Sequence, residues 1–331
     1  MNYLVTGGAG FIGSHLVELL LKTNSKVIVL DKLTYASVQW TPPDENPNFK
    51  FIKLDITDRS VLLENTQSIK SFLGEEFSIF HLAAESHVDR SITSADEFIN
   101  TNVLGTQIML DFAKKFKTAR FLHISTDEVY GSLETGEATE SSPLDPSSAY
   151  SASKAASDLV ALAHHKTFGT NVIVTRCVNN YGPRQSLEKF IPRVISRALK
   201  GLTIPIYGTG VNIREWIYVE DHCKALVHLM DRGKSGQIYN IGTGQRRSNL
   251  EIANLLLDAM KRPTKIDHIE DRLGHDFRYA LDSSKLNRSL TMPPLTSIEE
   301  GLKHTIAHYE EYGKSKEFER EFLLMENSYA R

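Results

Sequence analysis

The chain has 331 residues, 41% hydrophobic and 24% charged, with 38 Lys plus Arg against 41 Asp plus Glu for a net charge of -3. That balance excludes the strongly basic field that bulk attraction to nucleic acid or an anionic membrane needs. The composition is that of a folded chain, and no apolar run approaches the ~18 residues of a membrane span. The length suits one large or two ordinary domains. The first residues read at once as a strand, not as a basic and then apolar targeting segment. Cys177 and Cys223 make no disulfide framework and have no metal-ligand spacing. A soluble, cytoplasmic protein without a metal site is expected.

In chain order, Asn2 to Thr6 is a short apolar run, and Phe11 to Lys22 has helical spacing. Lys26 to Leu30, Phe49 to Leu54 and Phe77 to Leu82 are strand-length, and Thr41 to Asn48, with its prolines, reads as a loop. Phe98 to Phe116 reads as one long helix, Arg120 to Ser125 as a strand, Tyr150 to Phe168 as a helix and Asn171 to Arg176 as a strand. Strands alternating with helices predict an α/β fold, a doubly wound and mostly parallel Rossmann sheet. Beyond a soft boundary near Arg176 the pattern is less regular, with helices at Leu187 to Leu199, Glu220 to Met230 and Asn249 to Lys261, and a strand at Gln237 to Ile241. The expected division is a Rossmann domain over 1–176, completed by a segment near 214–243, and a smaller α/β domain over 177–331.

After the first strand comes Thr6-Gly7-Gly8-Ala9-Gly10-Phe11-Ile12-Gly13. Gly7, Gly10 and Gly13 allow a tight turn, close approach of pyrophosphate and close helix-on-strand packing. The helix opening at Phe11 and Ile12 offers its free N–H groups and positive dipole end to phosphates. Asp31 ends the second strand, where an acid bonds a ribose 2′-hydroxyl and repels a 2′-phosphate, so NAD is expected over NADP. Asp55 and Ile56 follow the third strand; Asp55 can reach an adenine amino group or cap a helix, although Asp58 is the better cap. Leu82, Ala83 and Ala84 close the fourth strand with mostly small residues that let a cofactor lie on the backbone.

Tyr150 and Lys154 stand four residues apart on one helix face. Positive charge from the ammonium and from an oxidised nicotinamide stabilises phenolate, so the phenol is expected to be tuned downward. Tyr312 and Lys316 share the spacing but sit in a charged tail, and read as solvated surface. Ser125-Thr126-Asp127-Glu128 ends the fifth strand, where open α/β sheets place ligands. Thr126 can bond a reacting hydroxyl. Asp127 and Glu128 can divide acid and base work if their surroundings differ. The same four residues also read as a capping cluster.

These motifs, with His81-Leu-Ala-Ala-Glu-Ser-His87, Asn179-Asn-Tyr-Gly-Pro183, Arg214-Glu-Trp216 and Arg272-Leu-Gly-His-Asp276, resemble the dTDP-glucose 4,6-dehydratases. That is a branch of the extended short-chain dehydrogenase/reductase family. Related epimerases and decarboxylases keep the glycines, Tyr and Lys but lack the Asp-Glu pair. The resemblance implies a lyase acting on a nucleotide-diphosphate glucose, with NAD as its cofactor. Tyr150 would take the C4 hydroxyl proton, Glu128 the C5 proton, and Asp127 would protonate the leaving C6 hydroxyl. Thr126 and Lys154 would complete the catalytic set, and Lys32 and Thr34 would join the cofactor set. Ser86, Asn179, Glu188, Lys189, Phe190, Arg214, Asn249, Arg272 and His275 would surround the substrate. A homodimer is implied, built on Phe98 to Phe116 and Tyr150 to Phe168. UDP-linked glucose, 4-epimerisation or decarboxylation, and a non-catalytic NAD-binding sensor are the competing readings.

Overall fold

Short runs of Val, Ile, Leu and Phe become parallel strands here because helices cover both of their faces. The computed structural model describes residues 1–38, 46–116, 118, 120–271, 274–289 and 294–329. Most of the loop expected over Thr41 to Asn48 therefore lies outside the described residues. Seven strands form one sheet, in spatial order Gln237–Ile241, Val172–Cys177, Arg120–Thr126, Ser78–His81, Tyr3–Thr6, Val27–Asp31 and Phe49–Lys53. Every pairing in it is parallel. The strand order reverses between Tyr3–Thr6 and Ser78–His81, so a crevice opens at their carboxyl ends. One buried cluster, with Leu16, Val29 and Leu226, covers one face, and another, with Ile28, Phe77 and Leu110, covers the other.

The remaining strands lie outside this sheet. Ile213–Tyr218 sits between Arg246–Ser248 and Asn179–Tyr181 in a three-stranded sheet, and Ile204–Tyr207 pairs with Ile266–Ile269. A third core, with Tyr181, Ile191, Leu256 and Leu302, fills the space around them. Among the described residues no helix is long and apolar enough to cross a membrane.

Two expectations need correction. The single helix over Phe98 to Phe116 is instead Ala95–Phe98, a π-helical stretch Ile99–Gly105 and an α-helix Thr106–Lys115. In the widened stretch the Asn102 side chain turns to the backbone of Glu85. Two further helices, Arg59–Glu64 and Thr66–Leu73, follow Asp58, whose carboxylate caps the N–H groups of Ser60 and Val61. The charged tail is the helix Lys316–Tyr329, which buries Phe318, Phe322 and Met325 in the third core. Tyr312 is accordingly half-buried, not solvated, and its hydroxyl donates to Glu321 at 2.9 Å.

Candidate active site

The crevice is a cleft of about 320 Å³. Gly7, with φ +70°, passes so close to the next strand end that a Cβ there would stand 2.7 Å from the Ala83 nitrogen. A Cβ on Gly13 would stand 2.1 Å from the Gly7 carbonyl oxygen. The helix Phe11–Leu21 starts at Gly10 with no side-chain cap. Its first N–H groups are thus left for a ligand, and Gly10, Phe11, Ile12 and Gly13 all line the cleft. This cradle suits a pyrophosphate.

Asp31 closes the second strand. Its carboxylate accepts from the Ala9 N–H at 3.0 Å and the Leu33 N–H at 2.8 Å. Burial pushes its pKa up, against the pull of those two bonds and of Lys32. A carboxylate has room for about four bonds, so two remain for ribose hydroxyls. Lys32 lies 3.3 Å from Glu85 and 3.6 Å from Asp55. Asp55 also accepts from the backbone and hydroxyl of Thr57. Lys32, Thr34, Asp55, Ile56, Leu82, Ala83 and Ala84 line the same cleft as the glycine turn and Asp31. The residues present fit a dinucleotide.

Thr126, Asp127, Glu128, Tyr150 and Lys154 line its other end. Thr126 caps the 3-10 turn Asp127–Tyr130, accepting from the Glu128 N–H at 3.3 Å and donating to Asp127 Oδ1 at 3.2 Å. The capping geometry and the cleft lining therefore coexist. Asp127 is 3% exposed, and its Oδ2 is buried without a partner. Burial first, then the charges of Glu128 and Glu215, hold its carboxyl well above the usual range. A reciprocal Ser148–Ser151 capping box opens the helix Ala149–Phe168 and so fixes Tyr150 in its first turn, with Lys154 one turn on. The Lys154 ammonium donates to the Ile124 carbonyl at 2.7 Å, and burial brings its pKa down to about 8.

Tyr150 departs from expectation. Burial and the charge of Glu128 raise its phenol well above the ordinary value, with only a bond to Thr126 pulling the other way. The largest cause is burial of the phenol itself, and the nearby charge of Glu128 adds to it. Electrostatics supplied by the chain itself do not make the phenolate.

Of the expected substrate residues, Ser86, Asn179 and Lys189 line the cleft, and Lys189 donates to the Ser86 carbonyl at 2.9 Å. The other described ones lie beyond its lining. Glu188 accepts from Arg90 at 2.7 Å and faces His87 at 3.3 Å. Phe190 packs on Trp216. Arg214 is buried over the Tyr279 ring and donates to the carbonyl of Asp276 at 2.8 Å. Asn249 opens a helix, and His275 bonds Asp271 at 2.6 Å. Arg272 lies outside the described residues. Sequence reasoning missed Glu85, Thr101, Cys177, Asn180, Gln185 and Ser186, which also line the cleft. Glu85 and Asn180 stand inside motifs already singled out, and that membership was the signal.

A Rossmann sheet whose switch point holds a glycine cradle, a Tyr–Lys helix pair and two adjacent carboxyls defines a nucleotide-sugar-modifying member of the short-chain dehydrogenase/reductase class. More narrowly, the chain belongs to the GDP-mannose 4,6 dehydratase family, whose model matches residues 4–305. It is 44% identical over 319 residues to a dTDP-glucose 4,6-dehydratase of Actinoplanes sp., covering 93% of this chain and 98% of the relative. The dTDP-glucose 4,6-dehydratase of Streptomyces griseus is 46% identical over 325 residues, covering 94% of each chain. Among solved structures, the DesIV double mutant from Streptomyces venezuelae, a dTDP-glucose 4,6-dehydratase with NAD and DAU bound, superposes with a TM-score of 0.90 at 44% identity, covering 96% of this chain and 100% of that one.

Proposed function

We propose that the chain is an NAD-dependent hydro-lyase that converts dTDP-glucose to dTDP-4-keto-6-deoxyglucose and water. The observation that carries this reading is Asp127, a buried carboxyl held protonated beside Glu128, in one cleft with Tyr150 and Lys154. A neutral acid next to a second carboxyl supplies what elimination across C5 and C6 needs. Relatives of the same name at 44–46% identity over most of the chain support the substrate class.

Gly7, Gly10 and Gly13 would hold NAD, which as NAD+ would supply a hydride acceptor for C4 and, once reduced, a hydride donor for C6. With the charge of a bound, oxidised nicotinamide offsetting the rise in its phenol pKa, Tyr150 would accept the C4 hydroxyl proton and Thr126 would hold that oxygen. Lys154 sits one helical turn from Tyr150 and supplies positive charge there while it keeps its proton. The C4 ketone acidifies the C5 proton, which passes to Glu128. Asp127 delivers its proton to the departing C6 hydroxyl, water leaves, and Glu128 returns its proton to C5 as hydride is restored to C6. Asp31 orients the adenosine ribose, and Lys189 and Asn179 face the sugar nucleotide.

We further place cofactor binding on residues 1–176 together with the returning strand Gln237–Ile241, and substrate binding mainly on 177–331. Exposed Ile99 and Leu104 on the stretch Ile99–Gly105, and Leu159 and Phe168 on the helix Ala149–Phe168, support a homodimer. Two free, buried cysteines suit a reducing cytoplasm.

The test is incubation with dTDP-glucose and, separately, UDP-glucose, without added reductant, read by mass spectrometry. Loss of one water from the dTDP sugar is expected. Faster loss from the UDP sugar would reassign the nucleoside. Epimerised sugar without water loss would overturn the dehydratase reading.

A further inference from the structure

Among the described residues Arg176 is the largest polar side chain sealed inside the fold, and no step above uses it. It lies on the strand Val172–Cys177 and is 2% exposed. Its Nε donates to Asp158 Oδ2 at 2.8 Å, and Asp158 is fully buried in the helix that carries Tyr150 and Lys154. Its guanidinium carbon also lies 4.7 Å from the centre of the Tyr130 ring, and Tyr130 is the last residue of the Asp127–Tyr130 turn. One planar cation thus touches both elements that hold the acid/base set. Asp158 stands one helical turn after Lys154, and its Oδ1 lies 3.3 Å from His123 Nε2. Tyr130 is fixed at its far end by a 2.8 Å bond from its hydroxyl to Asn240.

Burying an ion pair rarely stabilises a fold more than apolar side chains of the same size would. Arg176 therefore has a use other than stability. Its backbone neighbours point the same way: Arg176 pairs in register with Ser125, one residue before Thr126, and Cys177 beside it lines the cleft. A flat, forked group can hold a carboxylate with its N–H edge while its face meets an aromatic ring. An ammonium holds one direction only.

Building on the proposed elimination chemistry, we infer that Arg176 is a positioning residue that couples the Asp127–Glu128 turn to the Tyr150–Lys154 helix. Through Tyr130 it sets where the two carboxyls stand, and through Asp158 it sets the helix turn that presents the phenol and the ammonium. The inference concerns the chemical step, so it predicts a loss in kcat with substrate and cofactor binding kept.

The test uses the full-length protein with its retained NAD, as wild type, Arg176→Met and Arg176→Lys. Folding is checked by thermal melting, NAD content by release on denaturation, and kcat and KM with dTDP-glucose. Arg176→Lys keeps the charge that Asp158 needs and so keeps the fold if Arg176→Met does not. The expected result is a kcat roughly tenfold or more lower in Arg176→Lys, a misplacement effect of the size small shifts produce. KM and NAD content stay within about twofold, and Arg176→Met, where it folds, is slower still. A folded Arg176→Lys with wild-type kcat would overturn the inference, and so would a fall in kcat matched by an equal loss of NAD. Wild-type protein that releases no water from dTDP-glucose would instead overturn the parent reading.

Discussion

Asn102 grips Glu85 at both ends of its amide: Oδ1 accepts from the Glu85 N–H at 2.8 Å, and Nδ2 donates to the Glu85 carbonyl at 3.0 Å. The same Nδ2 donates to Ser153 Oγ at 2.8 Å, next to Lys154. One buried side chain in the π-helical stretch thereby fixes the segment Leu82–Glu85, on which the dinucleotide would lie, against the catalytic helix. Asn102→Leu strands the Glu85 N–H and carbonyl in a dry site, at about 1–3 kcal/mol for each group left unpaired. A lower Tm and loss of NAD during purification are expected. Unchanged NAD content would show that other contacts hold that segment.

Gly13→Ala tests the cradle directly. The new methyl would stand 2.1 Å from the Gly7 oxygen, so backbone must move and the turn must open. The fold survives on its large cores, but NAD retention is expected to fall by at least about tenfold, since each 1.4 kcal/mol is a factor of ten. Equilibrium titration of the stripped protein with NAD measures it. Affinity equal to wild type would mean that phosphates do not sit on this turn.

Much of this arrangement was legible in the sequence. Glycine spacing, Asp31 at a strand end, and Tyr150 with Lys154 on a helix are local patterns, and local patterns fix their own geometry. The π-helical stretch was not legible, because the weak helix formers of Ile99 to Gly105 do not distinguish a widened turn from a regular one, and the distortion goes with a distant partner, Glu85. The Lys316–Tyr329 helix was obscured because Phe318, Phe322 and Met325 form a narrow stripe in a charged segment, and only the third core makes it a buried face. The direction of the Tyr150 shift also depended on tertiary structure. It required knowing that the fold buries the phenol and brings the charge of Glu128 near it.

Asp127→Asn separates acid from base. Asp127 is held protonated well above its ordinary 3.8, whereas an unfolded chain ionises it near that value. The folded state therefore keeps a proton that the unfolded state has lost, and stability falls as pH rises above about 4. Asparagine removes that dependence, so the variant should gain on wild type in Tm between pH 4 and 7. Water release should fall by about 10²–10⁴, the usual value of a placed acid. Exchange of the C5 proton with deuterated solvent should persist in Asp127→Asn and vanish in Glu128→Gln. Loss of exchange in both would merge the two roles.

Lys154→Met sets stability against function. Burial holds the Lys154 pKa near about 8 in the folded chain, against 10.5 when it is free. Below about 8 the ammonium is charged in both states, and the folded state bears its full desolvation penalty. That penalty is relieved as pH rises through about 8 toward 10.5, because the unfolded state then binds more protons. Methionine of similar length removes the penalty and loses one hydrogen bond to Ile124, worth about 1.5–3 kcal/mol for a charged donor. At neutral pH the desolvation term outweighs the lost bond, and toward pH 10.5 the penalty fades while the lost bond remains. Lys154→Met should therefore melt higher than wild type at pH 7, with the gap narrowing above about 8 and reversing toward 10.5. Turnover should drop by at least about a hundredfold, because the phenol loses the positive charge next to it. A variant that melts lower at pH 7 would show that the bond to Ile124 outweighs burial of the charge.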